Sequence, residues 1–345
     1  MKHITAIRTI KLFALTCLAL AALSFAGCDN MAGGGSKKPD TPSGITPYTA
    51  GGVKFNMVRI ASVTNGSVGH EDIGDNEVHT VNLTAYTIGE TEVTQALYEA
   101  VMGKNPSFFN NTGMQPFGEE VEGEERPQFD TNPASGEVQK NRPVEQVNWY
   151  HAIAFCNKLS LKLGLEPCYT VKKDGVPIDF ASLAYDEIPI SNNTAAASWN
   201  DAALDMSKNG FRLPTEAEWE WAAKGGTDDK WAGTNEEEKL KDYAWYDENA
   251  GMKTHEVKKK KPNGYGLYDM SGNVFEWCWD WAVHKTPQAG QTDPTGEIPP
   301  KEDQKSRIAR GGPWMMLSDA QSRAYRFGPY LDDETPLTGL RVVKR

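Results

Sequence analysis

Three carboxylates, Asp269, Glu276 and Asp280, fall in the stretch Gly266 to Trp281, GLYDMSGNVFEWCWDW, together with five aromatics and two glycines. Its apolar and polar residues keep neither a helical nor a strand period for long, so it reads as a tight buried loop feeding a short strand. A buried loop has to satisfy its own N–H and C=O groups. A cation held by Asp269 and Glu276 is one way, and a web of indole N–H and asparagine amide bonds is the other. Thiols are the second chemistry to weigh. Cys156, Cys168 and Cys278 lie in the body of the chain, and no cysteine follows Cys278. His151 has no second histidine three or four residues on, so it reads as a surface or core-edge residue rather than a ligand.

The elements that must position these groups announce themselves unevenly. Val53 to Ile60 alternates apolar and polar residues, and Glu77 to Ile88 does so less cleanly, which predicts two antiparallel strands. Thr94 caps a helix that ends at Gly103. Residues 107–141 are a polar insertion with an acidic run from Glu119 to Glu125, read as a solvated loop. Asn148 caps a second helix with one core face, Trp149, Ala152, Ile153, Cys156, Leu159 and Leu163, closed by Gly164. Tyr169 to Asn209 reads as a surface excursion. Thr215 and Glu218 form a capping box at the head of a third helix, which carries Trp219 and Trp221 to the core and stops at Gly225-Gly226.

At 345 residues, 39% apolar and 10% aromatic, the chain is long enough for a sizeable core, and ten Trp with 32 Gly point to a loop-rich fold. Residues 1–28 stand apart. Lys2, Arg8 and Lys11 precede an apolar run from Leu12 to Ala26, and Phe25-Ala26-Gly27-Cys28 resembles a bacterial lipobox. That implies cleavage before Cys28 and acylation of its thiol. Residues 29–47, rich in Gly, Ser, Pro and Lys, read as a flexible tether, and residues 48–345 as one domain. Losing three basic residues from 36 leaves 33 against 47 acidic ones, a mature charge of −14. Such a surface argues against nucleic acid and against electrostatic docking on anionic lipid, so membrane contact is through the lipid anchor. With Cys17 in the leader and Cys28 acylated, three cysteines remain, and an odd number leaves at least one thiol free.

In order along the chain come IGETEVTQ at 88–95, RPVEQV at 142–147, GFRLPTEAEWE at 210–220, the 266–281 stretch, RGG at 310–312 and GLRVV at 339–343. This series resembles the formylglycine-generating enzyme (sulfatase-modifying factor) family from about Val53 to the C-terminus. The resemblance implies an α+β, C-type-lectin-like domain poor in regular secondary structure. It also implies a calcium site made of Asp269, the carbonyls of Gly272 and Val274, and Glu276, a set of hard oxygen ligands. The loop's internal hydrogen bonds remain the alternative. Enzymes of the family oxidise a substrate cysteine with a cysteine pair between the Gly-Gly motif and the closing Gly-Phe-Arg. Residues 311–323 contain no cysteine, and Pro313 replaces the family's serine. A thioether has no proton to lose, so Met315 and Met316 cannot substitute. No copper site and no catalytic residue are expected, and the scattered histidines offer no iron site of the related sulfoxide synthases.

What remains is a scaffold presenting a C-terminal segment. Trp314, Met315, Met316, Leu317, Ser318, Asp319, Gln321, Ser322, Tyr325, Phe327, Tyr330 and Leu331 are the expected ligand-binding residues, interleaved with scaffold-like Arg323, Arg326, Gly339 and Arg341. Exposed aromatics and methionines are typical of recognition surfaces. The arrangement resembles the variable proteins of diversity-generating retroelements, which display such a segment to a ligand. The expectation is a lipid-anchored protein on the outer surface of a bacterial envelope, binding an unidentified protein or other extracellular ligand. The alternatives are an oxidoreductase of the formylglycine-generating type with a substituted site, and a structural envelope subunit.

Overall fold

The computed structural model describes residues 44–74, 76–117, 126–193, 196–282, 290–296 and 306–345. The leader, Cys28, most of the tether and the acidic run from Glu119 to Glu125 lie outside the described residues. The tether as drawn runs too far, because Ile45 already enters a strand. Strand β1 (Ile45–Ala50) pairs antiparallel with β2 (Val53–Ile60) across Gly51-Gly52, both in the left-handed region that a non-glycine residue resists. Strand β2 then pairs antiparallel with β5 (Tyr86–Gly89), and β5 with the C-terminal strand β12 (Val343–Lys344). One four-stranded sheet thus ties the two ends of the described chain together.

The single strand expected over Glu77–Ile88 is two. Strand β4 (His79–Leu83) pairs antiparallel with β3 (Val63–Val68) and parallel with β9 (Gln291–Thr292). The break comes at Thr84, whose backbone N–H and hydroxyl both donate to the Asp293 carboxylate. Helix α1 (Gln95–Met102) begins at Thr94, whose Oγ1 accepts from the Leu97 N–H, and stops at left-handed Gly103. Within the polar insertion a short hairpin pairs β6 (Met114–Pro116) with β7 (Gln128–Asp130).

Helix α2 (Trp149–Lys162) departs most from expectation. Asn148 caps it as predicted, its Oδ1 accepting from the His151 N–H at 2.9 Å. Residues 149–157, however, are buried without interruption, so the helix has no solvent face over its first two turns. His151 is therefore buried, not at the surface. It is 1% exposed, and burial pushes its imidazole down to about 4. Residues 169–209 supply the cover. Phe180, Ile188 and Trp199 pack into the core cluster of α2, and Tyr150 Oη donates to Asn200 Oδ1 at 2.7 Å.

Strand β8 (Phe275–Trp281) runs between antiparallel β10 (Arg307–Arg310) and parallel β11 (Thr338–Gly339), buried at every position. Alternation along it divides the interior. Phe275, Trp277, Trp279 and Trp281 join the cluster around α2. Cys278 joins the cluster containing Val58, Ile88, Trp219 and Ile308. Helix α3 (Glu216–Lys224) packs on that second side, held by the predicted capping box and closed by left-handed Gly225. Cys156, Cys168 and Cys278 are all free and buried, and burial pushes each thiol up.

Candidate functional site

The second side of β8 is a polar seam inside the protein. Glu276 has both oxygens occupied. Arg341 Nε donates to Oε1 and Oε2 at 3.0 and 2.9 Å, Arg341 Nη2 to Oε1 at 2.7 Å, and Trp219 Nε1 to Oε2 at 2.6 Å. Arg341 Nη1 and Nη2 also donate to the carbonyls of Gly89 and Tyr268, linking β5 to the loop before β8. Trp277 Nε1 on the opposite face donates to the Val147 carbonyl. Of the two ways to satisfy this stretch, the web of side-chain hydrogen bonds is present.

Glu276 is thus a salt-bridge acceptor with both oxygens engaged by Arg341 and Trp219. Asp269 is different. It sits in the left-handed region with Oδ2 accepting from the Lys258 N–H, while Oδ1 has no partner. Glu92 is 2% exposed, and neither of its oxygens has a partner. Burial pushes Asp269 up to about 6, and burial together with Asp269 pushes Glu92 well up. These orphaned oxygens fit a hard cation or a retained proton, and of the two carboxylates in the set implied by the family only Asp269 keeps an oxygen without a partner. Gly272 is required for a separate reason: a Cβ there would lie 2.5 Å from the Trp245 backbone. Val274, like Gly272, is fully buried.

Helix α3 continues the seam with carboxylates the sequence reading missed. Glu220 accepts from Gly69 N–H, Asn76 Nδ2, Arg310 Nη2 and Arg323 Nη1. Glu216 accepts from Arg326 Nε at 2.7 Å, and Glu218 takes a bidentate pair from Arg212 at 2.7 Å each. Glu216 and Glu220, four residues apart, share one face of the helix and both meet Arg310, whereas Glu218 points to the opposite side and is met by Arg212. Arg310 Nη1 also donates to the carbonyls of Ala324 and Tyr325. The C-terminal segment is thereby clamped by its main chain.

The expected ligand-binding residues divide into two groups. Trp314 is 1% exposed, donates from Nε1 to the Pro336 carbonyl, and meets Phe109 and Phe129 edge-on. Gln321 is buried with Nε2 on the carbonyls of Pro313 and Met316, and Ser322 and Leu331 are also buried. These four are scaffold residues, a correction to the reading of the whole segment as one face. Met315, Met316, Ser318, Tyr325 and Phe327 are half-buried, and Leu317, Asp319 and Tyr330 are exposed. Phe327 stacks on Phe275 with centroids 4.7 Å apart. Ser318 and Asp319 rest on the 230–237 segment, through Trp231 Nε1 to the Ser318 carbonyl and Lys230 Nζ to Asp319. Surface and scaffold thus alternate within one loop, a pattern with no period to be read.

The sulfatase-modifying factor enzyme 1-like domain matches residues 52–345. The solved structure of Treponema denticola variable protein 1 is 52% identical, covering 87% of this chain and 99% of its own, with a TM-score of 0.77. The chaperone protein LppX of Paenibacillus barcinonensis is 33% identical over 284 residues, 76% of this chain and 81% of its own length. The formylglycine-generating enzyme of Streptomyces coelicolor is 34% identical over 152 residues, 37% of this chain and 44% of that enzyme. The expected α+β, C-type-lectin-like architecture is the one these relatives share. Matched over residues 52–345, the chain belongs to the sulfatase-modifying factor enzyme 1-like family.

Proposed function

We propose that this protein is a non-catalytic, lipid-anchored envelope protein that binds an extracellular ligand through Met315, Met316, Leu317, Ser318, Asp319, Tyr325, Phe327 and Tyr330. The observation that carries the reading is the division of one loop into solvent-facing side chains and a main chain clamped by buried ones. Likeness to a variable protein and to a protein named LppX supports a bacterial envelope setting. Cys28 is the acylated residue, and a retroelement diversifies the loop. The lack of any cysteine after Cys278 supports the absence of the family's oxidase chemistry.

The test is a pair of display libraries. Randomising the eight surface positions leaves most members folded and yields binders to an arbitrary test protein, whereas randomising Trp314, Gln321, Ser322 and Leu331 abolishes folding. Equal loss of folded members from both libraries overturns the assignment. A near-copy of the gene's 3′ end beside a reverse transcriptase, differing at adenines, is expected; a gene without one removes the retroelement. Cys28→Ser abolishes incorporation of labelled palmitate. Copper-dependent turnover of a cysteine peptide refutes the non-catalytic reading.

A further inference from the structure

Residues between Lys173 and Asn193, with Ser198 and Trp199, line an open groove of about 610 Å³ that belongs neither to the carboxylate seam nor to the eight surface positions. That volume is in the range of small-ligand sites. Its floor is apolar: Ile188 and Trp199 are buried, Ile178 and Leu183 half-buried, and Ile190 at the edge is 66% exposed. An isoleucine so exposed beside a concave apolar floor has a hydration cost that a ligand would relieve.

The rim is acidic. Asp179, Asp186 and Glu187 line it against one cation, Lys173. The far wall is fastened to the C-terminal segment, with Asn192 N–H donating to Asp332 Oδ2 at 2.7 Å, and Asn148 Nδ2 shared between the Pro189 carbonyl and Glu334 Oε1. Two more carboxylates therefore stand beside the groove. The neighbouring bases offset them only in part, Lys158 lying within electrostatic reach of Asp179 and Glu187. Lys104 pairs with Asp186 across 3.3 Å where both are largely exposed, a contact of little strength. Lys158 points its ammonium at the Leu183 carbonyl. Burial and the nearby Asp332 push Glu334 up to about 7, against the pull of Lys104.

We propose that this groove binds an extended peptide segment of a partner protein in which lysine or arginine alternates with aliphatic residues, the aliphatic groups on Ile178, Leu183, Ile190 and Trp199 and the cations on Asp179, Asp186 and Glu187. The site stands on the groove alone and does not depend on what the 315–330 surface binds. The experiment uses the full-length chain in nonionic detergent and a fluorescein-labelled peptide alternating lysine with leucine, followed by anisotropy. A glutamate–leucine analogue and spermine are the comparison probes. Asp179 and Glu187 cap local turns, so the test variant is the isosteric triple Asp179→Asn, Asp186→Asn, Glu187→Gln, which keeps an acceptor at each turn. The triple variant binds the basic peptide at least about tenfold more weakly, a loss of about 1.4 kcal/mol or more. Ile190→Ser also weakens it, and neutralising Glu236, Glu238 and Asp242 does not. Equal binding of the acidic analogue, a triple variant within about twofold of the parent, or binding of spermine without the peptide overturns the proposal.

Discussion

Replacing Glu276 by glutamine separates a structural salt bridge from a metal ligand. In the native chain Glu276 and Arg341 are both fully buried, and the carboxylate accepts from three N–H groups of two side chains. Glutamine keeps the volume but removes the charge and turns an amide N–H₂ toward a donor. Arg341 stays charged, since the remaining carbonyl partners at Gly89 and Tyr268 still accept from its Nη1 and Nη2. Removing one member of a buried pair leaves the other uncompensated, at a cost of about 3–5 kcal/mol. For a domain of this size each kcal/mol moves Tm by about 2–4 °C, so Glu276→Gln should melt at least about 6 °C lower. The assay is urea and thermal unfolding with calcium and with chelator. A salt-bridge role predicts the same loss in both, whereas a ligand role predicts a loss only with calcium. Combining Glu276→Leu with Arg341→Met should recover much of the loss, because a matched apolar pair removes both desolvation costs. A fall below about 1 kcal/mol, or one confined to calcium, refutes the reasoning.

Three further outcomes follow from burial. Burial pushes Asp280 and Glu145 each up to about 7, above their ordinary carboxylate values, so the folded state holds protons that the unfolded chain releases. Their contribution is fully present at low pH and lost as pH rises to about 7, with a limiting slope of about 1.4 kcal/mol per unit for each group. Asp280→Asn should therefore flatten the decline of the urea midpoint over that window relative to the parent. Trp314→Ala should cost about 3–5 kcal/mol in the same assay and Tyr330→Ala less than about 0.5, since one leaves a cavity between Phe109 and Phe129 and the other only uncovers solvent-facing main chain. Thr215→Ala should cost about 1 kcal/mol, through loss of the hydrogen bond its Oγ1 accepts from the Glu218 N–H.

Local signals were legible where the physics is local. Thr94, Asn148 and Thr215 satisfy N–H groups a few residues away, and Gly103 and Gly225 adopt the conformation their lack of Cβ permits; each was readable from spacing alone. The depth of α2 was not, because its outer face is covered by Phe180, Ile188 and Trp199, which arrive from a segment without periodicity. The same limit hid the seam. Nothing near Glu220 in sequence indicates that Arg310 and Arg323 will meet it, and nothing near Trp314 indicates that Phe109 and Phe129 will close over it. Family resemblance supplied the frame but did not announce that Glu276 would pair with Arg341, which lies in the closing motif.

The seam also explains how a loop can carry side chains that contribute little to stability. A segment without helix or sheet must place its peptide groups against other partners, and in most loops these are water or neighbouring main chain. Here buried side chains do it. Arg310 holds the Ala324 and Tyr325 carbonyls, Gln321 those of Pro313 and Met316, and Trp231 that of Ser318. None of these bonds uses the side chain of a surface position between 315 and 319, or of Tyr325 or Tyr330. The exposed side chains of Leu317 and Tyr330 should change at a cost of about 0.5 kcal/mol or less each, so long as the buried donors remain. A surface built this way can alter its chemistry without altering its shape, which a ligand-binding loop held by its own exposed side chains cannot do.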